Sequence, residues 1–432
     1  MPHKNNMPLN LTADCDKGVK FIFKILILSA ILGAIEGMTI SKKVNGFMEK
    51  SSWIRKMFEE GIRLKKEFGE ENVFDLSLGN PVIEPPKEVQ NAMVRAARDN
   101  DPGMHRYMPN AGFQDVREAI AITLSEECQE KLSADDLVMV CGAAGGLNIT
   151  LKTLLDSDDE VIIFAPYFVE YLFYADNHGG RAVSVNTNDD FSLNFDSFKN
   201  ALNEKTKAVI INSPNNPTGV VYSREELEKL AEILKTHSEK SGKPVYLISD
   251  DPYKKISFDG IEVVNILELY ENSIYITSHS KDIALPGERI GFVAVHPKCE
   301  DTENLMAGLI FSNRVLGFVN APALIQRVVK NVQGVTVDVE QYQKKRDFLY
   351  GELTRIGYDV VKPRGAFYFF PKSPIDDEVE FVRKLAEKKV LVVPGRGFGC
   401  PGYFRISYCL PDSVIEGSIA GFEAAFVECR KE

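Results

Sequence analysis

Side chains able to hold or move protons recur where short apolar runs of this chain end. Val245 to Ser249 leads into Asp250-Asp251-Pro252-Tyr253, and Ser273 to Thr277 leads into Ser278-His279-Ser280-Lys281. Ala208 to Asn212 leads into Ser213-Pro214-Asn215-Asn216-Pro217-Thr218-Gly219. Ligands of open parallel sheets sit beyond the carboxyl ends of the strands, so an acid, an amine, a phenol and an amide would converge on one edge. Singly, each has an ordinary structural reading. Asp250 can cap a helix or close a turn, Lys281 can be a solvated surface lysine, and Asn215 to Gly219 can be only a turn. Their occurrence together on successive strand ends favours a site.

Such a site needs a sheet to hold it. Leu137 to Val140, Glu160 to Phe164, Ala208 to Asn212, Val245 to Ser249, Ser273 to Thr277 and Gly291 to Val295 are short apolar runs without polar alternation. Helical spacing separates several of them, most clearly at Ser223 to Thr236, where Ser223 and Glu226 form a capping-box pair. This pattern predicts an α/β fold whose large domain has a mostly parallel sheet covered by helices on both faces. Helices are also expected over Ser51 to Phe68 and Gly112 to Cys128. A long helical section from Ala321 to Leu353 is followed by strands at Ala366 to Phe370, Val390 to Val393 and Tyr403 to Tyr408. A smaller α/β domain would be built from the N- and C-terminal parts, residues 38–85 and 325–432, around a large domain of residues 86–324.

Composition narrows the class. With 432 residues, 44% of them hydrophobic, the chain can bury a sizeable core, which excludes a disordered, collagen-like or disulfide-stapled protein. The formal net charge of −11 opposes nucleic acid and an anionic membrane face as partners. Seven cysteines without CxxC spacing point to free thiols in a cytoplasmic protein and to no metal site. Residues 21–35 form an apolar run like the core of a signal sequence. The expectation is that residues 1–37 lie upstream of a working protein starting at Met38; a signal or anchor, and a buried or interfacial helix, are the alternatives.

Three motifs then coincide in order: Asn216-Pro217-Thr218-Gly219, Ser278-x-Ser280-Lys281 followed by Gly287-x-Arg289-x-Gly291, and Phe404-Arg405-Ile406-Ser407. From about Ser77 to Phe426 the chain resembles the class I/II pyridoxal-phosphate aminotransferases of fold type I. Between the two serines that family usually has a small or apolar residue, whereas this chain has His279, read as a local packing substitution.

The resemblance implies pyridoxal 5'-phosphate as cofactor and a ping-pong exchange of an amino group between an L-amino acid and a 2-oxo acid through Schiff bases. It assigns the catalytic amine to Lys281, because a primary amine on a flexible stem can condense with an aldehyde and shuttle a proton. Asp250 would keep the pyridine nitrogen protonated, and Asn216 with Tyr253 would donate to the ring oxygen. The phosphate would meet Gly142, Ala143 and Ala144 at a helix start, together with Ser278 and Arg289. Phe168 would stack on the ring, and Tyr107 would reach the phosphate of the neighbouring subunit, which makes the working unit a homodimer with shared sites. Gly79, Asn216 and Arg405 would meet the substrate, the guanidinium of Arg405 holding its α-carboxylate.

Tyr171 and Phe173 permit an apolar substrate without demanding one, and the Gly395–Gly399 stretch reads as an active-site border loop, with Arg396 as an alternative substrate contact. One aspartate-selective branch carries a phosphate-loop lysine where this chain has Ala144, which weakens an aspartate-specific reading. Alternatives on the same scaffold are a carbon–sulfur lyase and a non-catalytic, cofactor-dependent regulator, the latter disfavoured by the acidic charge.

Overall fold

Isoleucine and valine runs build the centre of the molecule. The computed structural model describes residues 39–50, 52–99 and 102–430; the expectations placed on residues 1–37 lie outside them. The chain divides into two compact units, residues 1–52 and 53–432. Within the first, the described residues form the helix Lys42–Lys50. All that follows concerns the second.

A short strand β1 (Phe74–Asp75) is followed by β2 (Leu137–Val140), β3 (Glu160–Ala165), β4 (Arg181–Asn186), β5 (Thr206–Ile211), β6 (Tyr246–Asp250), β7 (Ser273–Ser278) and β8 (Gly291–Val295). A seven-stranded sheet runs in the order β2-β8-β7-β6-β5-β3-β4. Its pairs from β4 through β7 are parallel, while β8 lies antiparallel to both neighbours. The expected mostly parallel sheet is thus present.

Alternate side chains of the sheet feed different cores because successive residues of a strand point to opposite faces. Val138, Ile163, Ile210, Ile248 and Ile276 pack with Leu147 and Leu151 of the helix Gly142–Leu154 and with Leu305 and Leu309 of the helix Thr302–Val315. Ile162, Val209 and Leu247 instead pack with Leu227, Leu230 and Leu234 of the helix Arg224–Ser241, whose start carries the Ser223–Glu226 capping box. Met139 and Phe292 meet Val116 and Ile120 of the helix Gln114–Cys128.

Two expectations need correction. No strand was expected at β4, whose sequence Arg-Ala-Val-Ser-Val-Asn carries polar residues that an edge strand can leave in water; only Val185 is buried there. The section expected as one helix from Ala321 to Leu353 is two, Ala323–Lys330 and Val339–Ile356. Gly334 in the break has φ +79, and Asp338 restarts the helix by accepting from the Glu340 N–H at 3.2 Å.

The C-terminal part adds β9 (Tyr368–Phe369), β10 (Val390–Leu391), β11 (Val393–Pro394) and β12 (Phe404–Ser407). β11, β12 and β9 form an antiparallel sheet, and β1 pairs in parallel with β10. Phe367, Phe369, Phe381, Phe404 and Phe422 fill the core beneath them. Leu76 N–H donates to the Leu391 carbonyl at 2.9 Å, and the Leu76 carbonyl accepts from Ser407 N–H at 2.9 Å. Residues 74–79 are therefore laced to C-terminal strands despite their distance in sequence.

Gly291 is the tightest point of the sheet edge that carries chemistry. A Cβ there would overlap the Thr277 carbonyl and lie 3.1 Å from Ser278 Cα and 3.2 Å from the Gly142 carbonyl carbon. Gly291→Ala should cost about 2 kcal/mol, the usual scale of overpacking, and lower the urea midpoint accordingly. An unchanged midpoint would show that the strand can slide to make room.

Candidate active site

Most of the expected residues line one cavity of about 340 Å³ at the carboxyl ends of β6 and β7. A larger surface groove of about 730 Å³, lined among others by Glu130, Glu232 and His296, contains none of them. The cavity wall can be built from its acid outward. Asp250 ends β6, and its buried Oδ2 accepts a 2.6 Å hydrogen bond from the Tyr171 hydroxyl. Its other oxygen, Oδ1, is buried with no partner. Burial pushes this carboxyl up to about 6, the Tyr171 bond opposing the rise, and pushes the neighbouring Asp251 up to about 7.

The amide beside it is held through the backbone. Asn212 donates from Nδ2 to the Asp250 carbonyl at 2.5 Å, while its Oδ1 accepts from Asn216 N–H at 2.7 Å. That arrangement aims the Asn216 side chain at Arg405, whose Nη1 donates to Asn216 Oδ1 at 3.0 Å. Arg405 Nη2 donates to the Ser77 carbonyl at 2.7 Å, and its Nε is buried without a partner. The guanidinium is 4% exposed and lies 4.8 Å from the Tyr368 ring centroid and 4.7 Å from that of Phe398. Among the described residues no carboxylate pairs with it.

Lys281 follows β7, and its Nζ donates to the Gly79 carbonyl at 2.8 Å. Burial lowers its pKa to about 8. Gly79 has no room for a side chain, since a Cβ would overlap the Tyr368 hydroxyl. That hydroxyl is also 3.0 Å from the Tyr253 hydroxyl, and burial holds Tyr253 well above the usual phenol range. On the opposite side, Ala143 and Ala144 in the first turn of the helix Gly142–Leu154 line the cavity with Ser278 and Arg289. Gly142 has φ +72, and a Cβ on it would stand 2.6 Å from Arg289 Nη2. A guanidinium beside free N–H groups at a helix start is an anion receptor. Phe168 lines the same space and meets Tyr171 edge to face, with centroids 5.6 Å apart.

Tyr107 is not brought into this cavity. It is 95% exposed and lies with His105, Arg106 and Phe318 along a shallow depression. Arg396 is also elsewhere, bound to Glu378 at 2.7 Å and Asp377 at 3.1 Å, which corrects its reading as a substrate contact. His279 turns from the cavity, with Nδ1 3.0 Å from Asp282 Oδ2. Tyr171 lines the cavity as an aromatic residue near the site, and its hydroxyl serves Asp250.

Residues 71–420 match the family model described as aminotransferase class I and II. The chain belongs to this family. An aminotransferase from Eubacterium rectale of known crystal structure is 40% identical, covers 91% of this chain with 99% of its own, and superposes with a TM-score of 0.88. The aspartate aminotransferase of Bacillus subtilis is 31% identical over 81% of this chain and 90% of its own length. The aromatic-amino-acid aminotransferase 2 of Thermococcus litoralis is 30% identical over 88% and 97% respectively. The protein is therefore an enzyme of amino-group transfer, and its family uses pyridoxal phosphate.

Several contributors to this aminotransferase site escaped the sequence reading. Tyr368 sits in the run Phe367-Tyr368-Phe369-Phe370, which reads as core. Asn212 reads as the end of a strand. Tyr171 reads only as an aromatic near the site, and its bond to Asp250 is set by packing between segments that local spacing does not reveal.

These buried acids give the cofactor-free aminotransferase a distinctive pH profile. The folded chain keeps protons on Asp250 and Asp251 up to about 6 and about 7, whereas unfolded carboxyls release them near 3.8. Stability should therefore fall as pH rises from about 4 to about 7. Lys281 acts in the other sense, regaining stability between about 8 and 10.5. His178 and His296, whose pKa values burial lowers, act in the opposite sense over part of this range, so the Asp250 share is read as a difference: in urea denaturation Asp250→Asn should lose part of the fall, and a variant profile parallel to that of the wild type from pH 4 to 7 would contradict the assignment.

Proposed function

We propose that this aminotransferase uses pyridoxal 5'-phosphate held by Lys281 to move an amino group between an L-amino acid and a 2-oxo acid. The observation that carries the reading is the buried Arg405 guanidinium, which has a free Nε and no carboxylate partner among the described residues. Such a group fits a substrate α-carboxylate, which would supply the missing negative charge.

The residues present fit the cofactor. Asp250 Oδ1, buried and without a partner, suits a protonated ring nitrogen, and the Gly142 helix start with Ser278 and Arg289 suits a phosphate. Asn216 and Tyr253 would donate to the ring oxygen, and Phe168 would cover the ring. When bound, pyridoxal phosphate supplies a carbonyl that takes up an amine and a ring that draws electrons from the adjacent carbon.

This chain's residues do the rest. Arg405 fixes one end of the substrate, and the side-chain-free Gly79 lets its backbone lie close to it. With its pKa near 8, Lys281 can take a proton from the substrate Cα and return it without a large penalty in either direction. Asp250 keeps its charge beside the ring because the Tyr171 hydroxyl favours the ionised form. The exposed Tyr107 is suited to complete a neighbour's phosphate site, so we propose a homodimer with shared sites.

Lys281→Ala should abolish turnover and leave no cofactor attached to the protein after borohydride reduction, read by mass spectrometry. Arg405→Gln should raise the half-saturating amino acid concentration roughly a hundredfold, or about 2.8 kcal/mol. Normal transamination by the first variant, or wild-type saturation by the second, would refute the corresponding role.

A further inference from the structure

Glu170 has no assigned task, yet it lines the same cavity as Arg405 and Lys281. It begins the helix Glu170–Asn177, and a carboxylate in the first turn of a helix can be there for the macrodipole alone. That role would let the side chain stay in water. Instead, its Oε2 is shielded from solvent and has no hydrogen-bond partner. No lysine or arginine forms an ion pair with it among the described residues. Burial raises its pKa, and the field of Arg405 opposes the rise. A buried carboxylate oxygen facing a cavity with nothing to accept from is costly unless a ligand provides the donor.

The geometry of the cavity limits what that donor can be. Arg405 spends its Nη atoms on Asn216 and Ser77 and does not reach Glu170. Tyr171 gives its hydroxyl to Asp250, and Tyr368 shares its own with Tyr253. Lys281 gives its amine to Gly79, so with the α-carboxylate on Arg405 the described residues of this chain leave the substrate's side chain to meet Glu170.

We propose that Glu170 is a specificity-determining residue that selects an amino acid whose side chain carries an N–H donor, an ammonium above all, and rejects one that ends in a carboxylate. The inference rests on the assignment of the α-carboxylate to Arg405. A distal carboxylate would stand against a second carboxylate in a water-poor space, whereas an ammonium satisfies the orphan oxygen and offsets its charge.

The test uses the holoenzyme in its pyridoxamine-phosphate form, which has no aldehyde to condense with an amine, and three acids of equal carbon chain length: pentanoate, 5-aminopentanoate and glutarate, with binding measured by calorimetry. The wild type should bind 5-aminopentanoate about tenfold tighter than pentanoate and glutarate weakest. Glu170→Gln and Glu170→Ala should each erase the preference for the amine and strengthen glutarate. The inference is overturned if glutarate binds the wild type as tightly as 5-aminopentanoate, or if both variants keep the original order. Arg405→Gln tests the carboxylate assignment separately. Loss of pentanoate binding supports the frame, while unchanged pentanoate binding overturns the Arg405 assignment itself.

Discussion

Taking a guanidinium out of water costs several kcal/mol unless hydrogen bonds and opposite charge offset it, and Arg405 meets that cost only in part. Asn216 and Ser77 satisfy both Nη atoms, and two aromatic rings flank the cation, but no described residue supplies a countercharge. Much of the surrounding structure serves to hold it in this incomplete state. Ser77 is in place only because residues 74–79 are laced to β10 and β12, and Asn216 only because Asn212 fixes its backbone. Binding energy that a relaxed surface arginine would have spent on water is thereby available to a carboxylate ligand, as the proposed role of Arg405 requires.

The same low-dielectric setting sorts the ionisable groups by role. Asp250 and Lys281 are both pulled toward neutrality by burial, the acid upward and the amine downward, so their pKa values approach one another near neutral pH. A single phenol, Tyr171, keeps the acid from drifting further. The proton traffic proposed for Lys281 and the fixed charge proposed for Asp250 can then coexist within one cavity, which groups with ordinary pKa values could not do as cheaply.

How much of this could be read from residues alone follows from what each residue depends on. The β6 and β7 ends, with Asp250 and Lys281, are legible because unbroken apolar runs mark buried parallel strands and the edge rule then locates the site. β4 was missed because an edge strand needs only one buried side chain, and Val185 cannot be told from a loop valine. Glu170 and Tyr368 were invisible for a different reason. Their significance lies in which groups meet, as the Tyr368 and Tyr253 hydroxyls do, and which oxygen is left without a partner, as in Glu170, a property of packing between segments far apart in sequence. Arg396 shows the converse: a glycine-rich setting suggested contact with ligand, but two nearby acids already claim it.

The reversed strand β8 has one more implication. Every parallel strand must leave the cavity edge and travel back before it can contribute again, but β8 begins at that edge, with Gly291 paired to Ser278. Lys281 and Arg289 therefore belong to one connection, between strands whose ladder fixes both of its ends. Surface loops ordinarily absorb added or lost residues with little harm. Here a change in length between 279 and 290 would displace amine and guanidinium relative to each other, so this stretch of irregular backbone is expected to evolve by substitution and hardly at all by insertion or deletion.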